Sequence, residues 1–121
     1  MLLSMDKTSI LSLASRLRVE PVTIEGVADP IFLRTLTGRE RDGFENACFT
    51  QKGKDRVLST ENIRAKLLVR SICTEKGERI FQDNEAELLG SIPADILDIL
   101  FTKAQKMSGL APADVEELAG N

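Results

Sequence analysis

Residues 19–40 read Val-Glu-Pro-Val-Thr-Ile-Glu-Gly-Val-Ala-Asp-Pro-Ile-Phe-Leu-Arg-Thr-Leu-Thr-Gly-Arg-Glu, and within that stretch strand chemistry gives way to helix chemistry. Val19 to Ile24 alternates apolar and polar side chains in a β-branched run, the pattern of a half-buried strand. Pro21 has no amide hydrogen to give to a ladder, which predicts an edge strand. Glu25 to Pro30 is rich in turn residues and Ile31 to Leu36 supplies a return strand, so a β-hairpin is expected over residues 18–36. Thr37-Gly38-Arg39-Glu40 is then a capping box: the Thr37 hydroxyl can accept from the amide three residues on, while the Glu40 carboxylate reaches back. A hairpin running straight into a capped helix predicts an α+β fold, mostly helical, in one small domain.

Upstream, residues 1–17 read as a separate N-terminal helical segment. Ile10, Leu11, Ala14 and Leu17 fall at helical spacing, with Thr8 or Ser9 as the cap, and so short a helix is expected to dock loosely. Downstream, residues 37–121 are expected to be helices with short connections. The capped helix carries Phe44, Ala47 and Cys48 on one face and is expected to fray by Lys52-Gly53, ahead of a polar loop from Gly53 to Arg56. Thr60 is the next expected cap, for a helix with Ile63, Leu67, Leu68, Ser71 and Ile72 on one side. A polar turn, Thr74 to Glu78, leads to the apolar pair Ile80-Phe81. Asn84 and Glu87 suggest a second capping box, for a short helix that stops with Gly90 just past its end. Pro93 suits a first helical position, Ile96, Leu97, Leu100, Ala104 and Met107 follow, and Gly109 ends that helix. Pro112 opens a last short helix holding Val115 and Leu118.

The chain's 121 residues suit one domain. With 42% apolar and 29% charged residues the composition is that of an ordered globule rather than a disordered tail. Five Phe and no Trp or Tyr leave the core to Leu, Ile, Val and Ala, with Phe44, Phe81 and Phe101 on apolar faces. No apolar run approaches the roughly 20 residues that span a bilayer, and the start lacks the basic-then-apolar pattern of a secretory signal. Charge is segregated along the chain. Residues 36–80 hold ten bases and seven acids, whereas residues 81–121 hold two bases and eight acids. The basic stretch is laced with acids, as in Arg39-Glu40-Arg41-Asp42, which suits a solvated helix better than a phosphate groove.

Little in the sequence points to chemistry. The chain has no His, which removes the commonest general base and the commonest metal ligand. Cys48 and Cys73 have no partner ligands for zinc and are expected as small buried hydrophobes. The glycines stand singly at turns and helix ends rather than in a phosphate loop. Neighbouring acids, Glu85/Glu87 and Glu116/Glu117, point to different faces of a helix, and acids in a first turn favour its dipole. Phe49 near Lys52 and Lys54 is one ring, too little for a nucleic-acid stacking platform. No catalytic, cofactor-binding or metal-binding residue is assigned, and an enzyme is not expected. The Pro93–Met107 helix is the exception to this blandness. Ile96, Leu97, Ile99, Leu100 and Phe101 cover more than one stripe, so Leu97, Ile99, Leu100 and Phe101 are the candidate protein-interaction residues.

The order of pieces also resembles a known family. "LTGRERDGFE" at Leu36–Glu45 is followed by "RAKLLVRSIC" at Arg64–Cys73, by "TEKGERIFQDNEAELLGSIPADILDILFTKAQKMSGL" at Thr74–Leu110, and by "ADVEELAGN" at Ala113–Asn121. Across residues 19–121 this resembles the tail assembly chaperones of long-tailed, siphovirus-like bacteriophages. The resemblance implies a non-enzymatic protein without cofactor, in the host bacterial cytoplasm and absent from the mature virion. Its implied partners are the tape measure protein, the major tail tube protein and further copies of itself, with no membrane or nucleic acid. It also implies a longer frameshifted product, with the slippage site expected at Ala119-Gly120-Asn121. No family motif marks a binding site to carry over. Two other functions fit the same residues: a structural connector that stays in a tail or other complex, and a regulator touching nucleic acid through the basic middle.

Overall fold

The computed structural model describes residues 4–110. In chain order these form α1 (Lys7–Leu11) running into a 3-10 turn (Ser12–Arg16), then β1 (Val19–Val22), β2 (Ile31–Arg34), α2 (Gly38–Ala47), β3 (Phe49–Lys52), β4 (Asp55–Leu58), α3 (Ile63–Ser71) and β5 (Ile72–Cys73). A 3-10 turn (Asp83–Glu85) leads into α4 (Ala86–Leu89), and α5 (Ala94–Met107) follows. The architecture is α+β with the hairpin near the N-terminus, as the sequence predicts. The expected helix at Val115 and Leu118 and the expected slippage site at Ala119–Asn121 lie outside the described residues.

β1 pairs antiparallel with β2, Val19 opposite Arg34 and Val22 opposite Ile31. β5 joins the other side of β2, with Phe32 opposite Cys73 and Leu33 opposite Ile72. The sheet order is β1-β2-β5, so Pro21 does sit on an edge strand. The Thr74–Glu78 turn then folds the chain back on β5, where the Ile80 amide donates to the Ile72 carbonyl at 3.3 Å. α5 packs on β2 and on α3, and α3 packs in turn on α2 and α4. Leu33, Phe44, Ala65, Leu67, Leu68, Val69, Leu100 and Ala104 form the driest part of the core. Cys48 and Cys73 are buried free thiols, as expected of small hydrophobes.

The capping box is present in full: the Glu40 amide donates to Thr37 Oγ1 at 3.1 Å and the Thr37 amide to Glu40 Oε1 at 3.0 Å. The end of α5 is equally local in origin. Gly109 takes φ +70°, its amide donates to the Lys106 carbonyl, and the Leu110 amide reaches back to Gln105 at 2.9 Å while the Leu110 side chain is buried. That is the Schellman arrangement, which a residue with a β-carbon resists.

Several expected boundaries are corrected. α2 does not run to Lys52; it stops at Ala47, and the expected loop at Gly53–Arg56 belongs to a second hairpin. In that hairpin Lys52 faces Asp55 across a two-residue turn opened by Gly53 at φ +62°. Six of the eight residues in its strands are exposed and five are polar, so no hydrophobic alternation announced them. α1 is capped by Asp6, whose carboxylate accepts from the Ser9 amide, and not by Thr8 or Ser9. α3 begins after Asn62 rather than Thr60. Asn62 adopts φ +55° and spends its side-chain amide on the Ala86 carbonyl at 3.1 Å. The second capping box uses Gln82 and Glu85 in place of Asn84 and Glu87. Pro93 is the residue before α5, not its first. Gly90 ends α4 in an ordinary right-handed conformation; a β-carbon there would lie 2.9 Å from Asn62 Oδ1, so the glycine makes room for a neighbour.

Candidate apolar docking groove

A groove of about 410 Å³ opens where β2 begins. One wall is the sheet, through Ile31, Phe32 and Cys73; the other is the helical layer, through Leu89, Ile92, Ile96 and Leu100; a lip at Ile80-Phe81 closes the third side. Each wall has a sequence cause. β-branched and aromatic residues put side chains across the start of β2, and the helical spacing of Ile92, Ile96 and Leu100 aligns them on one face of α5 and its lead-in. Leu89 and Leu100 are buried and form the floor, whereas Ile31, Phe32, Phe81, Ile92 and Ile96 are half-buried and Ile80 is 54% exposed. Half-buried apolar side chains converging on one concavity are the ordinary make-up of a binding site.

The lip is held from beneath by ion pairs. Glu40, already committed to the α2 cap, pairs with Arg34 of β2 and lies 3.6 Å from Arg79. Arg79 Nη2 donates to the Val69 carbonyl at 3.0 Å and to Asp83 Oδ1 at 2.6 Å, and Asp83 Oδ2 lies 3.6 Å from Arg70. The hydrogen bond from Arg79 holds the Asp83 carboxyl below its usual range, with the Arg70 and Arg79 charges adding to that and burial opposing it. Burial lowers the affinity of the Arg70 guanidinium for its proton. Three guanidiniums share two carboxylates, and the Nε atoms of Arg34, Arg70 and Arg79 are buried without a hydrogen-bond partner among the described residues. Such a network costs desolvation free energy and fixes geometry in return. Here it ties α2, β2 and α3 to the segment that carries Ile80 and Phe81.

The four candidate interaction residues do not form one surface. Leu97 and Leu100 are core residues, 7% and 1% exposed, and of the two only Leu100 borders the groove, at its floor. Ile99 is 51% exposed on the opposite side of α5, and Phe101 is half-buried against the core. Helical phase explains the split, because adjacent positions on α5 differ by about 100°. The groove-lining residues not among the sequence's candidates are Ile80, Phe81, Ile92 and Ile96. The apolar pair after a polar turn was a signal for the lip, but its meeting with α5 is tertiary. At the second hairpin, the Arg56 guanidinium stacks 4.3 Å from the Phe49 ring centre and bonds Asn46. That interaction holds the ring against its own strand.

Both thiols are pushed up by burial, Cys48 and Cys73 alike. Among the described residues no group of three His, Cys, Asp or Glu is placed to hold a metal ion, and no helix is long and apolar enough to cross a membrane. Compared with known proteins, the chain matches no family model, no curated protein and no solved structure.

Proposed function

We propose that this chain is a non-enzymatic phage tail assembly chaperone that holds its client's apolar stripes in the groove between β2, the Ile80-Phe81 lip and α5. The observation that carries this reading is the groove itself: apolar side chains gathered at the surface and held open by an ion-paired lip. A tape measure protein is a client of suitable chemistry. Its long amphipathic helices have unpartnered apolar stripes until the tail tube forms around them, and such stripes aggregate in water. Many copies of a small protein, each with a modest contact, would cover a long client by avidity and still come away. The same reading has the protein pass the coated client to major tail tube subunits in the host cytoplasm and stay out of the finished virion.

The test is co-expression with a tape measure protein, scoring soluble client. Wild-type chain should keep the client soluble without added nucleotide. Ile80→Glu places a charge on an exposed lip residue, so the variant should fold; losing burial of one Ile, worth about 1.5–3 kcal/mol, should weaken binding roughly ten- to hundredfold. Client solubility unchanged by the wild type refutes the function. Client solubility fully retained with Ile80→Glu and Ile96→Glu refutes the groove as its seat.

A further inference from the structure

Residues 5–17 form an arm whose apolar side chains are exposed except for the half-buried Leu17. Its helix is specified locally: Asp6 accepts from the Ser9 amide at 2.8 Å, and the Ser12 and Ser15 hydroxyls donate to the carbonyls of Ser9 and Ser12 at 2.6 and 2.8 Å. Yet no residue of α1 or the 3-10 turn after it is buried, and Met5, Ile10, Leu11 and Leu13 are each more than half exposed. A helix this short is marginal in water unless an apolar face is packed on something. Among the described residues two apolar features are therefore unpartnered, an arm and a groove.

They sit at opposite ends of one ladder. The arm joins β1 at Arg18, whose carbonyl accepts from the Thr35 amide and whose guanidinium donates to the Met107 carbonyl at the end of α5. The groove uses the start of β2 and the first half of α5. From Ile96 to Met107 the helix runs roughly 16 Å, and Lys103 and Lys106 lie on that stretch. An arm folding back to its own groove would have to run the length of that stretch, past Lys106 and the Lys103–Glu20 ion pair. The helical wall of the groove has the opposite sign: between Arg79 and Lys103 lie Asp83, Glu85, Glu87, Asp95 and Asp98 and not one base. Asp83 pairs with Arg79 and Arg70 and Asp98 with Arg64, while Glu85, Glu87 and Asp95 make no ion pair among the described residues. The arm and its root carry Lys7, Arg16 and Arg18 against a single acid, Asp6.

From this arrangement we infer that the arm of one copy occupies the apolar groove of a second copy. Ile10 and Leu13, three positions apart on one face of the arm, meet the Ile80-Phe81 lip and Ile92, and the basic end of the arm faces the acidic α4–α5 wall. Donor and acceptor surfaces differ, so the contact is head-to-tail and repeats from copy to copy, giving rings if the rotation closes and open filaments if it does not. Arm and client would compete for one groove, which keeps it covered before a client arrives. The inference shares the groove with the proposed function but needs no client, so the pure protein tests it.

Sedimentation of the full chain from micromolar to near-millimolar concentration should show an average mass that climbs with concentration and falls with added salt. An Ile10→Glu/Leu13→Glu variant and an Ile80→Glu variant, each changed at exposed positions, should keep the far-ultraviolet circular dichroism of the wild type and remain monomers. Mixed together, they should form a one-to-one pair and stop, because each retains one of the two surfaces. A wild type monomeric at every concentration overturns the inference, as do variants that associate like the wild type or a mixture that stays monomeric. A monomeric wild type whose Ile96 methyl resonance shifts in the arm variant would place the arm in its own groove, and that too overturns it. None of these results bears on whether the wild type solubilises a client.

Discussion

Neighbouring residues on α5 give the sharpest test of how this helix is set. Leu100 is 1% exposed and Ile99 is 51% exposed, although both were equal apolar members of one sequence run. Leu100→Ala removes three carbon centres from the core floor, about 2.4 kcal/mol of transfer free energy at roughly 0.8 kcal/mol per methylene. A cavity adds to that, and buried Leu→Ala changes range over about 2–5 kcal/mol. Leu100 also borders the groove, where water or a shifted side chain can fill part of the void, so a loss of about 3 kcal/mol is expected. For a chain of this size that is on the order of a 12 °C fall in Tm. Ile99→Glu should change stability by no more than about 0.5 kcal/mol, the usual range for a surface position. The assay is urea unfolding followed by circular dichroism, since a chain without Trp or Tyr offers little intrinsic fluorescence. A loss below about 1 kcal/mol for Leu100→Ala, or above it for Ile99→Glu, would show that α5 is rotated from the phase described.

Glycines make a second paired test: Gly90→Ala drives a β-carbon to 2.9 Å from the Asn62 side chain and should cost about 1–2 kcal/mol, whereas Gly38→Ala meets nothing within 4 Å and should stabilise by about 0.5 kcal/mol. Urea midpoints that shift the same way for both would refute the close approach at Gly90. Acid should weaken the lip: because the folded-state pKa of Asp83 is depressed, its contribution is present above the unfolded value of about 3.9 and is lost as pH falls through the lower folded value. The stability gap between wild type and Asp83→Asn should therefore be open at neutral pH and close in strong acid, and a gap that persists undiminished in strong acid would contradict the pairing. Finally, buried thiols with raised pKa values should resist iodoacetamide in the folded protein and both react in urea; prompt labelling of Cys48 or Cys73 under native conditions would contradict their placement.

Short-range chemistry is the part of this fold that is legible in the order of its residues. The hairpin with its edge proline, the Thr37–Glu40 cap and the Gly109 terminus all rest on hydrogen bonds or dihedrals within a few residues, and each is present. The buried character of Cys48 and Cys73 followed from composition, since a chain without His gives two cysteines little else to do. Tertiary structure decided the rest. The β3–β4 hairpin has too few buried side chains to show a pattern, and the start of α3 was moved from Thr60 to Asn62. There a residue in the left-handed region reaches the Ala86 carbonyl, 24 positions away. The groove was equally out of reach. Ile31, Ile80 and Ile96 are far apart in the chain and become one surface only when β5 pairs with β2 and α5 lies across them. Leu97 and Leu100 looked like contact residues because hydrophobicity marks what must leave water; whether it leaves for the core or for a partner depends on which helical face the rest of the fold has already covered.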